Sequence, residues 1–360
     1  MKSLLILLLL AAAGFAQQNV VVYKESGRFA GWPANHGIWS WNNEIVVGFE
    51  AGYFKVKGEK EHREHAIDYS KPEEHMLARS LDGGLTWKME APPSLQPPEG
   101  TKIAGVPAKT GGKPAVESMG GIRFTDPNFA MTFRMEDIHL GPSRFYYSYD
   151  RGKTWEGAFK VPDFGQKGIA ARTDYIVNGP KDCMVFLTAA KSNGREGRVI
   201  MVRTTDGGKS WKFVAYVTPE PEGNDHAIMP STVRLSPKSL YTAVRFRQFI
   251  DGYQSDDNGS TWHRVGRIAD TDNPPSLLKL KDGRLAIAYG YRKPPFGLRG
   301  RVSKDQGKTW GDEIILRQDG GSWDLGYPRS ALRPDGKIVT AYYFNEGAER
   351  YIGATIWDPK

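Results

Sequence analysis

Apolar and polar residues alternate in short runs along most of the chain, and the runs come in pairs. Thr232-Val233-Arg234-Leu235 turns through Ser236-Pro237-Lys238 into 239–244, and 276–280 turns through Lys281-Asp282-Gly283 into 284–289. A period of two puts one set of side chains on one face, and the intervening Pro, Asp and Gly supply the turns, so each pair predicts a β-hairpin. Equivalent hairpins are predicted at 37–49, 121–133 and 174–188. A sixth, at 330–343 around Pro334-Asp335-Gly336, leads to a last strand at 351–357. No segment carries a convincing helical period.

Between the hairpins one octapeptide recurs five times: SLDGGLTW (80–87), SYDRGKTW (148–155), TTDGGKSW (204–211), SDDNGSTW (255–262) and SKDQGKTW (303–310). Its aspartates, Asp82, Asp150, Asp206, Asp257 and Asp305, lie 48 to 68 residues apart. The Asp carboxylate accepts backbone N–H groups, the Gly takes the positive φ of a tight turn, and the Trp packs the turn onto its sheet. These aspartates therefore read as structural. Six hairpins with five boxes predict an all-β fold, a six-bladed propeller of four-stranded antiparallel blades. The last blade lacks a box and an outer strand, and residues 19–23 can supply that strand and close the ring.

Composition changes this picture in three places. In 360 residues there are 41 Gly, 10 Trp and one cysteine, Cys183, which excludes disordered, collagen-like and disulfide-stapled classes. Residues 1–16 read as a secretory signal: Lys2, an apolar run at 4–13 too short to span a bilayer, and a small-residue cleavage site at Gly14-Phe15-Ala16. One domain at 17–360, secreted or periplasmic and without membrane insertion, follows. The net charge of +8 falls to +7 without Lys2, and no Lys/Arg block is present, so anionic partners are allowed and nucleic acid is not expected.

The Ser-x-Asp-x-Gly-x-Thr-Trp boxes and the blade count resemble the sialidase (neuraminidase) superfamily over essentially the whole chain after residue 16. The resemblance implies a site at one end of the central axis. There an arginine triad holds the substrate carboxylate, a Tyr paired with a Glu is the nucleophile, and a first-blade Asp is the acid/base. Matched by position, Tyr327 in Asp324-Leu325-Gly326-Tyr327-Pro328-Arg329 takes the nucleophile's place. Arg245 takes that of the second arginine, with Arg247 close by. Arg292 takes that of the third, with Arg299 as competitor. Asp68, in the long ionisable loop 50–74, is the expected acid, with Glu73 and Glu74 behind it.

The chain departs from the pattern twice. Asn35 and His36 stand where the first arginine belongs, and Met229 stands near the glutamate's place, leaving His226 as the only group to assist Tyr327. A histidine does not reproduce the planar guanidinium fork, and an unassisted phenol is a poor nucleophile at neutral pH. Arg172 and Asp174 open the third blade at the same axial level and are expected to meet sugar hydroxyls or each other. Asp272 and Asn273, beside Pro274-Pro275, read equally as sugar-facing or as turn residues. His36, His62, His65, His75, His139 and His226 all fall in or beside loops, with no zinc-type spacing, so neither a metal nor a cofactor is expected.

The expected function is an exo-acting, sialidase-like glycoside hydrolase acting on a terminal, acidic sugar of a glycan. Asp68, Tyr327 and His36 are the expected catalytic residues, and Asn35, Arg172, Asp174, His226, Arg245, Arg292 and Asp324 the expected substrate-binding ones. The altered clamp keeps two alternatives open. One is a non-sialic glycosidase or uronate lyase of the same fold, using a histidine as acid or base; the other is a non-catalytic glycan-binding propeller.

Overall fold

A computed structural model describes residues 17–58, 64–99, 101–103, 106–107 and 111–360, and within them the chain is almost wholly β. The expected signal, 1–16, and His62 lie outside the described residues. Strands β1 (Gln18–Tyr23) and β2 (Arg28–Gly31) lead into a helical turn, α1 (Pro33–His36). Next come β3 (Ile38–Trp41), β4 (Glu44–Tyr53), β5 (Glu74–Ser80), β6 (Lys88–Glu90) and a small pair, β7 (Lys102–Ile103) and β8 (Val106–Pro107). β9 (Ala130–Met135), β10 (Ser143–Ser148) and β11 (Glu156–Lys160) form a three-stranded sheet.

β12 (Ile169–Ala170), β13 (Tyr175–Gly179), β14 (Asp182–Ala190), β15 (Glu196–Thr204) and β16 (Lys212–Tyr216) make the next sheet, with β12 and β13 sharing one edge of β14. Two regular four-stranded antiparallel sheets follow. The first is β17 (Ala227–Arg234), β18 (Leu240–Phe246), β19 (Ile250–Ser255) and β20 (His263–Ala269). The second is β21 (Pro275–Lys279), β22 (Leu285–Tyr291), β23 (Gly297–Ser303) and β24 (Ile314–Arg317). β25 (Gly326–Leu332), β26 (Ile338–Glu346) and β27 (Glu349–Trp357) end the chain.

The first strand returns to the last: β1 pairs antiparallel with β27, from Gln18↔Ile356 to Tyr23↔Ile352. β2 bridges β27 to β4, so β25–β27 and β3–β6 belong to one nine-stranded sheet. The whole is an all-β propeller. Its inner strands are tied to one another by side chains: Ser231 Oγ accepts from Leu277 N (2.9 Å), Ser276 Oγ from Ser330 N (2.8 Å), and Asp174 from Thr232 Oγ1 (2.8 Å). Between facing sheets the core is apolar, as with Phe29, Phe49, Val339 and Ile352, or Tyr241, Ile287 and Tyr289.

The boxes form as the sequence predicts. Asp150 accepts Thr154 N (2.9 Å), Thr154 Oγ1 (2.6 Å), Lys153 N (3.0 Å) and Ser148 Oγ (2.7 Å), and Trp155 Nε1 donates to Gly152 O (3.0 Å). Gly152 has φ 79°, and the preceding Arg151 is also left-handed, at 61°. Asp82, Asp206, Asp257 and Asp305 make the same hydroxyl and backbone contacts.

One hairpin differs. Of the expected 121–133 pair only β9 is a strand, because Ile122 N and Phe124 N donate to Gly207 O and Pro180 O at the edge of the neighbouring sheet. Their side chains bury against Trp211 instead. Where an inner strand would lie, the Tyr175 hydroxyl receives Trp39 Nε1 (3.1 Å) and Met131 N (3.3 Å), and Thr132 Oγ1 donates to His36 O (2.8 Å).

Replacing Asp150 with Ala removes four acceptor contacts and leaves two backbone N–H groups to water. It is expected to cost about 1–3 kcal/mol, lowering the thermal midpoint by several degrees, whereas Asp312→Ala, on the exposed surface, leaves it unchanged. Equal midpoints for the two variants in calorimetry would contradict the structural role.

Candidate active site at one mouth of the axis

α1 starts the site. Trp32 is left-handed (φ 59°), Gly37 N donates to Pro33 O (3.1 Å), and the resulting turn brings Ala34, Asn35 and His36 to the inner end of β3. Ala34 O faces Arg329, which donates to it through Nη2 (2.8 Å) and Nε (3.2 Å) and also to Thr173 O. Asn35 Oδ1 accepts Arg172 Nε (3.2 Å), while Arg172 Nη2 pairs with Glu196 (2.9 Å) and its Nη1 is buried without a partner. Arg172 and Asn35 are therefore brought together.

Tyr327 is the centre. Its backbone is left-handed (φ 50°), a strained state for a tyrosine, and is held by Asn273 Oδ1, which accepts Tyr327 N (2.8 Å) while Nδ2 donates to Leu325 O (3.1 Å). Asn273 fits because Gly326 and Gly290 have no side chain: a Cβ on either would lie about 2.5 or 2.6 Å from its amide. Asn273 thus positions the tyrosine rather than serving a simple turn.

Arg245 Nη1 donates to the Tyr327 hydroxyl (3.0 Å), and its Nε and Nη2 are fixed on Asp272 Oδ1 (3.0 and 2.6 Å). Met229 Sδ, in the lost glutamate's place, lies 3.6 Å from the same Nη1. Arg292 lies 5.4 Å from the Tyr327 ring centroid and donates to Leu325 O, Asp272 O and the Tyr343 hydroxyl. Tyr327, Arg245 and Arg292 converge as expected, and Arg292 rather than Arg299 is the arginine at the site.

Sequence reasoning named His65 only among the loop histidines; the structure gives it a central place. His65 Nδ1 lies 2.6 Å from Asp324 Oδ1, and its ring packs against Trp32, Trp323, Tyr327 and Tyr343. Asp324 also accepts Ala66 N (2.9 Å), the Tyr343 hydroxyl (2.9 Å) and Arg350 Nε (2.9 Å). Burial disfavours the Asp324 charge, but His65 and Arg350 outweigh it and hold the carboxyl well below the usual range. Every lone-pair direction of Asp324 is occupied, so it orients His65 instead of touching substrate. Burial holds His65 itself below the ordinary imidazole value against the pull of Asp324.

Three further expectations change. Asp68 spends its carboxylate on Ser70 N (3.1 Å) and Oγ (2.6 Å), contacts that lower its pKa and favour the ion over a proton donor. In the same loop Tyr69 and Glu73 face inward. His36 is fully buried, with Nε2 3.2 Å from Glu50 Oε1 and its ring against His75, so it supports the loop from behind rather than meeting a ligand. Asp174 is bonded to Thr232 and lines a separate cavity of about 330 Å³ along the axis with Gly37, Ser276 and Arg329; burial raises its pKa to about 7, against the pull of Arg329.

Glu50 and Glu73 form a buried carboxyl pair. Burial opposes both charges; the His36 contact outweighs it for Glu50, whereas Glu73, beside that charge, is pushed well above the carboxylate range. His226, near Arg245, is lowered to about 4, first by burial and then by that guanidinium.

The BNR repeat-like domain family matches residues 133–340, more than half of the chain. The chain belongs to that family. Its fold is that of the sialidases. The Dyadobacter fermentans protein of unknown function is 21% identical, with a TM-score of 0.68 over 94% of this chain and 97% of its own. The Hadza microbial sialidase Hz136 is 16% identical, with a TM-score of 0.60 over 92% of this chain and 66% of its own. The Trypanosoma rangeli sialidase in complex with sialic acid is 13% identical, with a TM-score of 0.58 over 94% of this chain and 58% of its own. The chain thus spans about two thirds or less of those two sialidases. A comparison with the curated proteins finds no match.

The buried histidines set a pH dependence. His36 and His226 titrate at about 4 in the fold and about 6.5 in the unfolded chain, so between those values the unfolded chain binds the extra protons. These two histidines therefore contribute a loss of stability as pH falls from about 6.5 towards 4. Asp174 and Glu73 oppose them: their raised pKa values, about 7 and about 9, lower stability as pH rises, so that above about pH 7 stability falls again. Thermal midpoints measured from pH 7.5 to 4.5 check this, and His226→Asn is expected to reduce the slope.

Proposed function

We propose that the chain is an exo-acting glycoside hydrolase of sialidase type that removes a terminal acidic sugar from a glycan. The observation that carries the reading is the Arg245–Tyr327 contact at 3.0 Å, with Arg292 5.4 Å from the centroid of the same ring, in a sialidase fold. The sugar carboxylate would lie against the two guanidinium groups, and Arg172 with Asn35 and His226 would contact its hydroxyls. The Tyr327 oxygen then attacks or stabilises the anomeric carbon, and Arg245 balances the charge that develops on it. We assign the proton for the leaving oxygen to Glu73 rather than Asp68, because burial beside Glu50 keeps Glu73 protonated near neutrality.

The reading includes the architecture that holds the site. Counting β25–β27 with β1 as one blade and β3–β6 as another, and adding the four remaining sheets built on β9–β11, β13–β16, β17–β20 and β21–β24, gives six blades, with the N-terminal strand closing the ring. Residues 17–360 are then one domain, exported by a leader at 1–16 to a periplasm or the medium, with no resident cofactor assigned.

The His65–Asp324 contact favours a second reading. A neutral imidazole whose Nδ1–H is fixed on a carboxylate presents Nε2 as a base. Beside two arginines that acidify the carbon next to a uronate carboxylate, this base would take the C5 proton while the C4–O bond breaks and Tyr327 protonates the departing oxygen, a uronate lyase reaction.

Tyr327→Phe is expected to lower kcat on a sialoside by about 10²-fold or more with little change in KM. Glu73→Gln should do so for natural linkages while sparing aryl sialosides, whose leaving groups need no proton. Should neither variant matter, while an unsaturated uronate product appears from a polyuronate and vanishes in His65→Asn, the lyase reading replaces the first. Binding without any turnover leaves a glycan-binding propeller.

A further inference from the structure

A cavity of about 550 Å³ lies beside Arg292 and Lys293, between the loop tip at Gln248 and Phe249 and the segment 270–272. The charges on its walls do not cancel. Asp272 is held by Arg245 (2.6 Å) and Asp270 by Arg267 (2.6 Å); Asp251, behind them, takes Arg264 (2.6 Å) and a second contact from Arg267 (2.7 Å). Arg292 gives its N–H groups to three neutral oxygens, two backbone carbonyls and the Tyr343 hydroxyl. Lys293, the next residue, is exposed. Among the described residues neither Arg292 nor Lys293 has a carboxylate partner, so two adjacent cations face a cavity whose own acids are already engaged.

The wall is preformed. Phe246 and Phe249 stack at 4.8 Å, and the Arg267 guanidinium lies 3.6 Å from the Phe249 ring centroid, which fixes the loop tip from both sides. A cavity with rigid walls loses little ordering entropy when it fills, and an uncompensated cation in it discriminates by charge. The position is informative too. Arg292, 5.4 Å from the Tyr327 ring centroid, lines the same cavity as Lys293, so the cavity adjoins the tyrosine at which the terminal sugar is proposed to lie.

We propose that this cavity is a second sugar subsite that takes an anionic residue, carboxylated or sulfated, linked directly to the terminal sugar, with Lys293 meeting its charge. It rests on the cleavage reading only in placing that terminal sugar at Tyr327. The preferred substrate class becomes a glycan with acidic groups on two consecutive residues. Lys293 here is a specificity residue and touches neither the anomeric carbon nor the leaving oxygen.

The test uses three glycans bound to the full chain carrying Tyr327→Phe, so that none is cleaved. They are α2,3-sialyllactose, whose second residue is neutral, its 6-sulfated galactose form, and α2,8-disialyllactose, whose second residue is a carboxylate. Calorimetric Kd values are expected to be about fivefold tighter for one or both acidic-second-residue glycans. Adding Lys293→Gln should erase that difference without changing the sialyllactose Kd, and Lys293→Arg should keep it. Preference for one acidic glycan alone tells carboxylate from sulfate. A Lys293→Gln change that weakens all three alike, or none, overturns the subsite, as does failure of all three to bind. Turnover of sialyllactose by the unmutated chain is measured in parallel. Turnover without discrimination removes the subsite alone, and discrimination without turnover removes the cleavage reading alone.

Discussion

Arginine burial at one end of the propeller axis is the constraint on which the site depends. Arg134, Arg172, Arg245 and Arg329 are all less than a tenth exposed, and a guanidinium withdrawn from water needs acceptors in fixed directions. Arg245 is answered by Asp272, Arg172 by Glu196 of its own sheet and Asn35 of another, and Arg329 by Ala34 O and Thr173 O, whereas Arg134 bonds within its own strand, to Thr132 Oγ1 and Phe133 O. Because Asn35, Ala34 and Thr173 lie far in sequence from the arginines they hold, satisfying Arg172 and Arg329 also ties separate blades together. The left-handed turns at Trp32, Met229 and Tyr327 are the backbone consequence, each presenting a side chain or carbonyl that an ordinary strand would turn away.

That same burial sorts the ionisable groups by role. Burial and neighbouring guanidinium groups keep His36, His75 and His226 neutral at physiological pH. The carboxylates split: Asp324 and Glu50, each in contact with a histidine, stay ionised, while Glu73, crowded against Glu50, keeps its proton. A neutral imidazole and a protonated carboxyl thus face inward from one long loop, and both states come from packing rather than from any unusual residue. The loop between Phe54 and Glu73 matters for this reason: His65 and Glu73 face inward from it while Asp68 caps its turn.

The repeat made the fold largely legible in the sequence. Five boxes with their hairpins carry enough local information, through Asp-to-backbone contacts and Gly at left-handed positions, to specify strand order without tertiary knowledge. The pairing of Asn19 and Val20 with Thr355 and Ala354 was legible for the complementary reason, an edge strand lacking at one end and spare at the other. The second hairpin was not, because alternation at 121–133 does not distinguish a strand paired in its own sheet from a segment bonded to a neighbour's edge. In the site, Tyr327, Arg245 and Arg292 were legible by their place relative to the hairpins. His65, Asp324 and Asn273 were misjudged because their roles depend on which long-range partner occupies each atom: Asp324 has four donors around it, and Asn273 is defined by a strained backbone 54 residues away.

Met229 shows how these levels join. Its thioether, 3.6 Å from Arg245 Nη1, carries no charge, and leaves the guanidinium to hold both Asp272 and the Tyr327 hydroxyl. The phenol thus has a fixed cation beside it, which favours the phenolate once formed but does nothing to remove its proton. Any chemistry at Tyr327 must therefore route that proton elsewhere, and the ring packed edge-on beside it, 6.2 Å between centroids, is His65. The Asp324-oriented His65 on the first-blade loop and the Arg245-bound phenol of Tyr327 are thus brought together by packing from two ends of the chain.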